Sequence, residues 1–148
     1  MPQSYTCCHY HIVFSTKGRA RLIADPMRPQ LHAYMAGIVN NFEGKAIRIG
    51  GTGDHVHLLL RLGVSRAVAD VVRDVKANSS RWMHAEGRCP VFAWQPGYGA
   101  FTVSFSNRDA VQRYIEIQEA HHRTISFDEE LEKLCARHGM VMDPRVCV

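Results

Sequence analysis

Two histidines within residues 53–60, which read GDHVHLLL, constrain this chain more than any other feature. The run is short, apolar and flanked by glycines, which favours a β-strand over a helix. Because side chains alternate along a strand, His55 and His57 share one face. Two imidazoles on one face of a strand can bind a divalent metal ion, although half-buried histidines without metal are commoner. The opposite, core-facing side carries Val56, Leu58 and Leu60.

A later stretch, residues 108–122, has the spacing of a helix that carries a tyrosine. Ser106 or Asn107 can cap its start. Tyr114 and Gln118 are four residues apart, so they share a face and lie one turn from each other. A tyrosine nucleophile needs such a metal-binding amide nearby. Taken alone, a packed tyrosine and a solvated glutamine would be the commoner interpretation.

Length and composition predict one globular domain over residues 1–148, with 46% hydrophobic and 22% charged residues. The longest apolar run is too short to span a membrane, and the start lacks a signal-peptide pattern. The net charge of +4 is compatible with a polyanion partner without demanding one. An odd number of cysteines without C-x-x-C spacing argues against disulfides or a zinc site and predicts a reducing cytoplasm. These cysteines are Cys7, Cys8, Cys89, Cys135 and Cys147.

The order of predicted elements defines an expected fold. Strand, helix, strand, strand, helix, strand is the α+β, ferredoxin-like (RRM-like) βαββαβ arrangement, with helices on one face of an antiparallel sheet. An added C-terminal helix carries Tyr114, and Ser126 caps a further one through Glu129. The apolar tail, residues 140–148, is expected to pack or to pair across a dimer. The predicted strands are residues 5–15, 45–51, 53–60 and 98–104, and the predicted helices are residues 25–41, 65–84, 108–122 and 127–137.

A second H-x-H pair, His9 and His11, opens the first predicted strand and competes for the role of metal pair. Its central residue is aromatic and it lies at the strand's start, so we favour His55 and His57. Lys17 and Arg19 belong to the densest basic stretch and are candidate nucleic-acid contacts. Trp94 and Tyr98 can stack on unpaired bases or pack within the protein, and both interpretations stay open.

Together these stretches resemble the IS200/IS605-type transposases, the single-tyrosine members of the HUH endonucleases. The resemblance runs through YHIVFSTK at 10–17, GDHVHLL at 53–59, WQPGYGAFTVS at 94–104 and YIEIQEAHH at 114–122, up to FDEEL at 127–131. Four motifs in the family's order are more specific than any one of them. Residues 76–80, KANSS, also follow the family's pattern, which adds Lys76 to the candidate phosphate contacts.

The resemblance implies a chemistry and a set of partners. Tyr114 is the expected nucleophile, and His55, His57 and Gln118 are the expected ligands of Mg²⁺ or Mn²⁺, in a shell without charged ligands. The expected reaction cuts and rejoins single-stranded DNA with hairpins at the ends of a mobile element, through a 5′-phosphotyrosine link. The expected state is a cytoplasmic homodimer with composite active sites and no membrane partner.

Three alternatives remain. One is a domesticated relative that processes palindromes in its host. Another is a non-catalytic, RRM-like nucleic-acid-binding module. The third is a small metalloenzyme with a different substrate, using His55, His57 and either His121 or His122.

Overall fold

A four-stranded antiparallel sheet in the order β2-β3-β1-β4 forms the centre of the structure. This computed structural model describes residues 3–143, so the predictions for Cys147 and for residues 144–148 of the tail lie outside the described residues. The strands are β1 (Cys8–Ser15), β2 (Gly44–Gly51), β3 (His55–Leu62) and β4 (Gly99–Val103). Their order confirms the predicted fold class.

Helices cover both faces of this sheet. The helices are α1 (Arg28–Asn40), α2 (Val68–His84), α3 (Arg108–Glu116), α4 (Gln118–His121) and α5 (Phe127–Arg137). Helices α1 and α2 enclose the main core on one face, where the predicted inward residues of β3 lie. On the other face, Ile115 of α3 packs on Leu59, and Leu131 of α5 belongs to a cluster with Val13. His55 and His57 therefore point away from the main core, towards α3–α5.

Helices α1 and α2 begin three residues after the predicted starts at residues 25 and 65. Residues 25–27 form a turn in which the amides of Met27 and Arg28 both donate to the carbonyl of Ala24, at 2.9 and 3.0 Å. Helix α1 then begins at Arg28, with Pro29 in its first turn, where its missing amide costs nothing. Helix α2 begins at Val68 instead of Ser65, and the Ser65 hydroxyl donates to Glu43 at 2.6 Å.

The C-terminal helices differ from one another in how well they follow the prediction. Ser126 caps α5, and its hydroxyl accepts a hydrogen bond from the amide of Glu129 at 3.2 Å, as predicted. The expected continuous helix through residue 122 is interrupted at Ile117, whose φ of −99° and ψ of 17° separate α3 from α4. The short helix α4 therefore presents Gln118 to the sheet independently of α3.

Close contact between α3 and the sheet depends on Gly50 of β2. A Cβ atom at Gly50 would lie 2.5 Å from the carbonyl oxygen of Ile115 and 2.7 Å from its side chain. A side chain at this position would therefore push away the helix that carries Tyr114. No helix within residues 3–143 has both the length and the apolar character needed to cross a bilayer.

Candidate active site

The two histidines of β3 meet the C-terminal helices at the buried carboxylate of Glu130, which is 1% exposed. Glu130 Oε1 lies 2.8 Å from His57 Nε2, 2.9 Å from His122 Nε2 and 3.7 Å from His55 Nε2. One ligand atom from each of these four residues lies within 4.8 Å of the others, so the group could hold a metal ion. Imidazole nitrogen and carboxylate oxygen are common ligands of divalent metals.

Tyr114 and Gln118 complete this cluster from the same chain. The Tyr114 hydroxyl donates a hydrogen bond to Glu130 Oε2, and the Gln118 amide donates to the same oxygen at 3.0 Å. The amide oxygen of Gln118 lies 3.1 Å from His55 Nε2. The centroids of the Tyr114 and His57 rings are 5.9 Å apart. The structure thus brings together every residue predicted for nucleophile and metal, without a second subunit.

Side chains behind the two histidines orient their rings. His55 Nδ1 lies 2.7 Å from Asp54 Oδ1 and 3.1 Å from the Thr52 hydroxyl. His57 Nδ1 lies 2.8 Å from His11 Nε2. Each ring therefore turns its Nε2 towards Glu130, as metal-binding histidines do when a partner holds the other nitrogen. His11 belongs to the rival H-x-H pair and supports His57.

Burial controls the protonation of this cluster. Burial lowers the pKa of His57 to about 4, against the opposing effect of Glu130, and burial beside His57 lowers the pKa of His11 to about 3. Both rings are therefore neutral near pH 7, the form in which imidazole binds metals. Burial raises the pKa of Glu130, but hydrogen bonds from His122, His57 and Tyr114 outweigh it and hold the pKa well below its usual range. Burial, with the nearby carboxylate, raises the pKa of Tyr114 above its ordinary value.

Glu130 is the functional candidate that the sequence interpretation missed. The structure places this carboxylate in the group that could hold a metal ion, whereas the expected ligands were all neutral. The signal was present in α5, because Glu130 occupies an inward position of the helix, among the apolar residues Phe127, Leu131 and Leu134. An acidic residue in an apolar stripe is seldom buried without a partner. His122, weighed only for a different metalloenzyme, also belongs to the cluster.

Of the two nucleic-acid contacts predicted at the start of the chain, Arg19 lies near the same centre. Lys17 is exposed in a short 3-10 turn, Lys17–Arg19. Arg19 forms an ion pair with Asp128 and lies 5.5 Å from the ring centroid of Phe127. That ring lies 4.7 Å from the ring of His55. Their role as DNA contacts stays a prediction.

The other predicted DNA contacts make internal interactions. Lys76 donates to the carbonyl of Gln95 at 2.8 Å, and burial lowers its pKa to about 8. The Trp94 ring packs edge-on against Phe14 and Phe92, each at 4.8 Å, and its indole N–H donates to the Ser79 hydroxyl. Tyr98 is half-buried against two core clusters. Of the two interpretations left open for Trp94, these contacts favour packing within the protein. Its role as a DNA contact stays a prediction.

Comparisons with known proteins identify the family of this chain. Residues 4–118 match the family model described as IS200-like transposases. The ISDra2 transposase TnpA of Deinococcus radiodurans is 30% identical over 115 residues, which cover 74% of this chain and 82% of that protein.

Two solved structures resemble this fold. One is a crystal structure of a candidate transposase from D. radiodurans R1, with a TM-score of 0.62 and 26% identity over 80% of this chain and 96% of that chain. The other is a REP-associated tyrosine transposase bound to a REP hairpin, with a TM-score of 0.61 over 82% of this chain and 73% of that chain. At 12% identity, this second likeness concerns the fold alone. On the match over residues 4–118 and the likeness to TnpA, this chain belongs to the family of IS200-like transposases.

Proposed function

We propose that this protein is a metal-dependent transposase that cuts and rejoins single-stranded DNA, with Tyr114 as its nucleophile. The observation that carries the proposal is the convergence of the Tyr114 hydroxyl with His55, His57 and Gln118 around Glu130. Family membership supports the same reaction class. A non-catalytic RRM-like module would leave this buried cluster of ionisable groups unexplained.

The residues present fit a divalent metal. His55 and His57 would hold it through Nε2, with oxygen from Glu130 or Gln118 and nitrogen from His122 as further ligands. This mixture of imidazole and oxygen suits Mn²⁺ well, whereas Mg²⁺ prefers oxygen ligands. When bound, such an ion polarises the scissile phosphate and stabilises the leaving 3′-oxygen.

The tyrosine performs the covalent step. Glu130 accepts the hydrogen bond of the phenol and so orients the Tyr114 oxygen within the cluster. That oxygen bonds to phosphorus while the bond from phosphorus to the 3′-oxygen breaks, leaving a 5′-phosphotyrosine link and a free 3′-hydroxyl. The link conserves the energy of the phosphodiester. A second 3′-hydroxyl can therefore reverse the step and join a new partner without an external energy source.

The proposed substrate is single-stranded DNA with hairpins at the ends of a mobile element. The REP-associated neighbour is a tyrosine transposase bound to a hairpin, and the net charge of +4 suits a polyanion. We further propose, from the family resemblance, a cytoplasmic homodimer. Composite active sites in that dimer would require the tyrosine helix of one subunit to take, in its partner, the place that Tyr114 occupies here within its own chain. The second candidate is a palindrome-processing relative without its own element. Hairpin ends flanking the gene would distinguish a mobile element from that relative.

The decisive experiment seeks a covalent adduct. The protein is incubated with end-labelled hairpin DNA and Mn²⁺, and an adduct that survives denaturant is sought on a gel. Tyr114→Phe should abolish the adduct and retain DNA binding, because it removes only the hydroxyl. Tyr34→Phe is the matched control, since Tyr34 is exposed on α1 and stacks on Trp82. An adduct of undiminished yield with Tyr114→Phe would contradict the proposal.

A further inference from the structure

A cavity of about 440 Å³ lies beside Tyr114, between the sheet and helices α3 and α5. Its walls include His11, Phe101, Tyr114 and His138, with Asn107 and Arg137 among its polar residues. We propose that this cavity binds one nucleobase of the single-stranded DNA substrate, next to the phosphate that Tyr114 attacks. This inference rests on the proposed function and names a subsite for it.

The aromatic walls suit a flat, unstacked base. The ring centroids of Phe101 and His138 are 4.6 Å apart at an interplanar angle of 33°, and the His11 ring lies 6.3 Å from Phe101. The His11 and Tyr114 rings are 6.0 Å apart and nearly perpendicular. Bases taken out of their stack bind proteins by such aromatic contacts. The volume lies within the roughly 300–1,000 Å³ typical of small-molecule sites.

The polar residues of the cavity supply what a nucleotide needs at its edges. Asn107 stands at the N-cap position of α3, yet its side chain makes no capping hydrogen bond. Its amide can therefore pair with the edge of a base, as can the exposed hydroxyl of Thr102. Among residues 3–143, the guanidinium of Arg137 enters no salt bridge or hydrogen bond, and its charge acts on the Tyr114 phenol. Arg137 is thus available for a phosphate oxygen beside the base.

The location of the cavity beside Tyr114 explains why its proposed ligand is a base of the DNA substrate. Tyr114 belongs both to the cavity wall and to the Glu130 cluster. A phosphodiester that reaches the Tyr114 oxygen brings its attached nucleotides to the mouth of this cavity. A base that enters it would fix the register of the scissile phosphate, which is the positioning that such catalysis requires.

The proposal is tested by filling the cavity with a larger side chain. Ala110 of α3 lines it and is exposed, so Ala110→Phe adds a ring without removing a core contact. Ala33→Phe is the matched control, because Ala33 is an exposed alanine of α1, on the opposite face of the sheet. Adduct yield is measured with hairpin DNA in which each nucleotide near the cleavage position is replaced, in turn, by an abasic analogue. We expect the abasic analogue at one position to lower the adduct yield at least tenfold in the wild type and in Ala33→Phe. In Ala110→Phe, where the added ring already fills the cavity, the same analogue should not lower the yield further.

A second measurement tests nucleotide binding in the cavity independently of DNA cleavage. ¹⁵N-labelled protein is titrated with each of the four deoxynucleoside monophosphates, and the amide signals of Thr102, Ala110 and Arg137 are followed. We expect saturable shifts with at least one nucleotide, weakened at least tenfold by Ala110→Phe and by Arg137→Gln.

The two measurements separate the two proposals. The cavity inference is overturned, and the nuclease proposal stands, if the wild type forms the adduct but two results are negative. These are that the abasic analogues lower the yield equally in the wild type and in Ala110→Phe, and that no nucleotide shifts these amide signals. If the wild type forms no adduct, while nucleotides still shift these signals, the nuclease proposal fails and the cavity remains a nucleotide site.

Discussion

His11 Nε2 lies 2.8 Å from His57 Nδ1, so one residue of each H-x-H pair takes part in a single buried contact. The contact leaves His57 Nε2 directed at Glu130, 2.8 Å from the carboxylate oxygen. The neighbouring His9 instead lies near the ring of Phe105, at 6.1 Å between centroids. The two pairs therefore have different roles: His55 and His57 converge on Glu130, and His11 holds His57 in place.

The first prediction separates the two pairs by metal affinity. His57→Ala should weaken Mn²⁺ binding by at least about 100-fold, because it removes a proposed ligand and not merely a supporting group. Cleavage should be lost together with binding. His9→Ala should keep both, since His9 lies outside the Glu130 cluster. Isothermal titration calorimetry measures the affinities, and unchanged Mn²⁺ affinity in His57→Ala would rule out His57 as a ligand.

The second prediction concerns the charge at the centre. Glu130→Gln keeps the side-chain shape and removes the negative charge, so we expect Mn²⁺ affinity to fall about 10–100-fold. Glu129→Gln, an exposed neighbour on α5, should leave the affinity unchanged. Calorimetry on both variants, with circular dichroism to confirm folding, makes the comparison. Equal affinity in Glu130→Gln and wild type would show that the metal is held without this carboxylate.

The third prediction compares a glycine packed closely against a helix with a glycine that has free space around it. Gly50→Ala should destabilise the protein by about 1–3 kcal/mol, because its Cβ would press on the Ile115 backbone of α3. Gly37→Ala, within α1, should stabilise it by about 0.4–1 kcal/mol, since a Cβ there meets nothing within 4 Å. Urea denaturation gives both free energies of unfolding. Equal effects at the two positions would contradict the proposed packing of the tyrosine helix.

The fourth prediction follows from Lys76, whose pKa burial lowers from 10.5 to about 8. Below pH 8 this lysine is protonated in both the folded and unfolded chain. Between pH 8 and 10.5 the unfolded chain binds more protons, so the contribution of Lys76 to stability rises with pH. Subtracting the unfolding free energy of Lys76→Met from that of the wild type isolates this contribution, and the difference should increase from pH 7.5 to pH 10. A difference that stays constant over that range would mean that burial does not depress this pKa.

The strand with the two histidines was predictable because its information is local. Alternation along β3 alone assigns His55 and His57 to one face and Val56 and Leu58 to the other, and the structure agrees. Helix starts were less predictable, because several residues near each start could serve as a cap. The first helix was predicted to begin at residue 25, yet the chain makes a turn over residues 25–27 and begins the helix at Arg28.

The carboxylate at the centre was not predictable in the same way. His57 and Glu130 are 73 residues apart, and no local pattern says which acidic residue of the chain will reach a given histidine. The break at Ile117 likewise depends on how α3 and α4 each pack on the sheet. The DNA contacts of Lys17, Arg19, Lys76, Trp94 and Tyr98 stay predictions.

The family match ends at residue 118, whereas Glu130 stands on α5, beyond that boundary. The negative charge at the centre therefore comes from a helix outside the matched segment. A chimaera that retains residues 1–118 and receives a different final helix would keep the imidazoles and the phenol but change the electrostatic character of the site. In such proteins, cation preference would diverge between close relatives while the sheet that carries His55 and His57 stays the same.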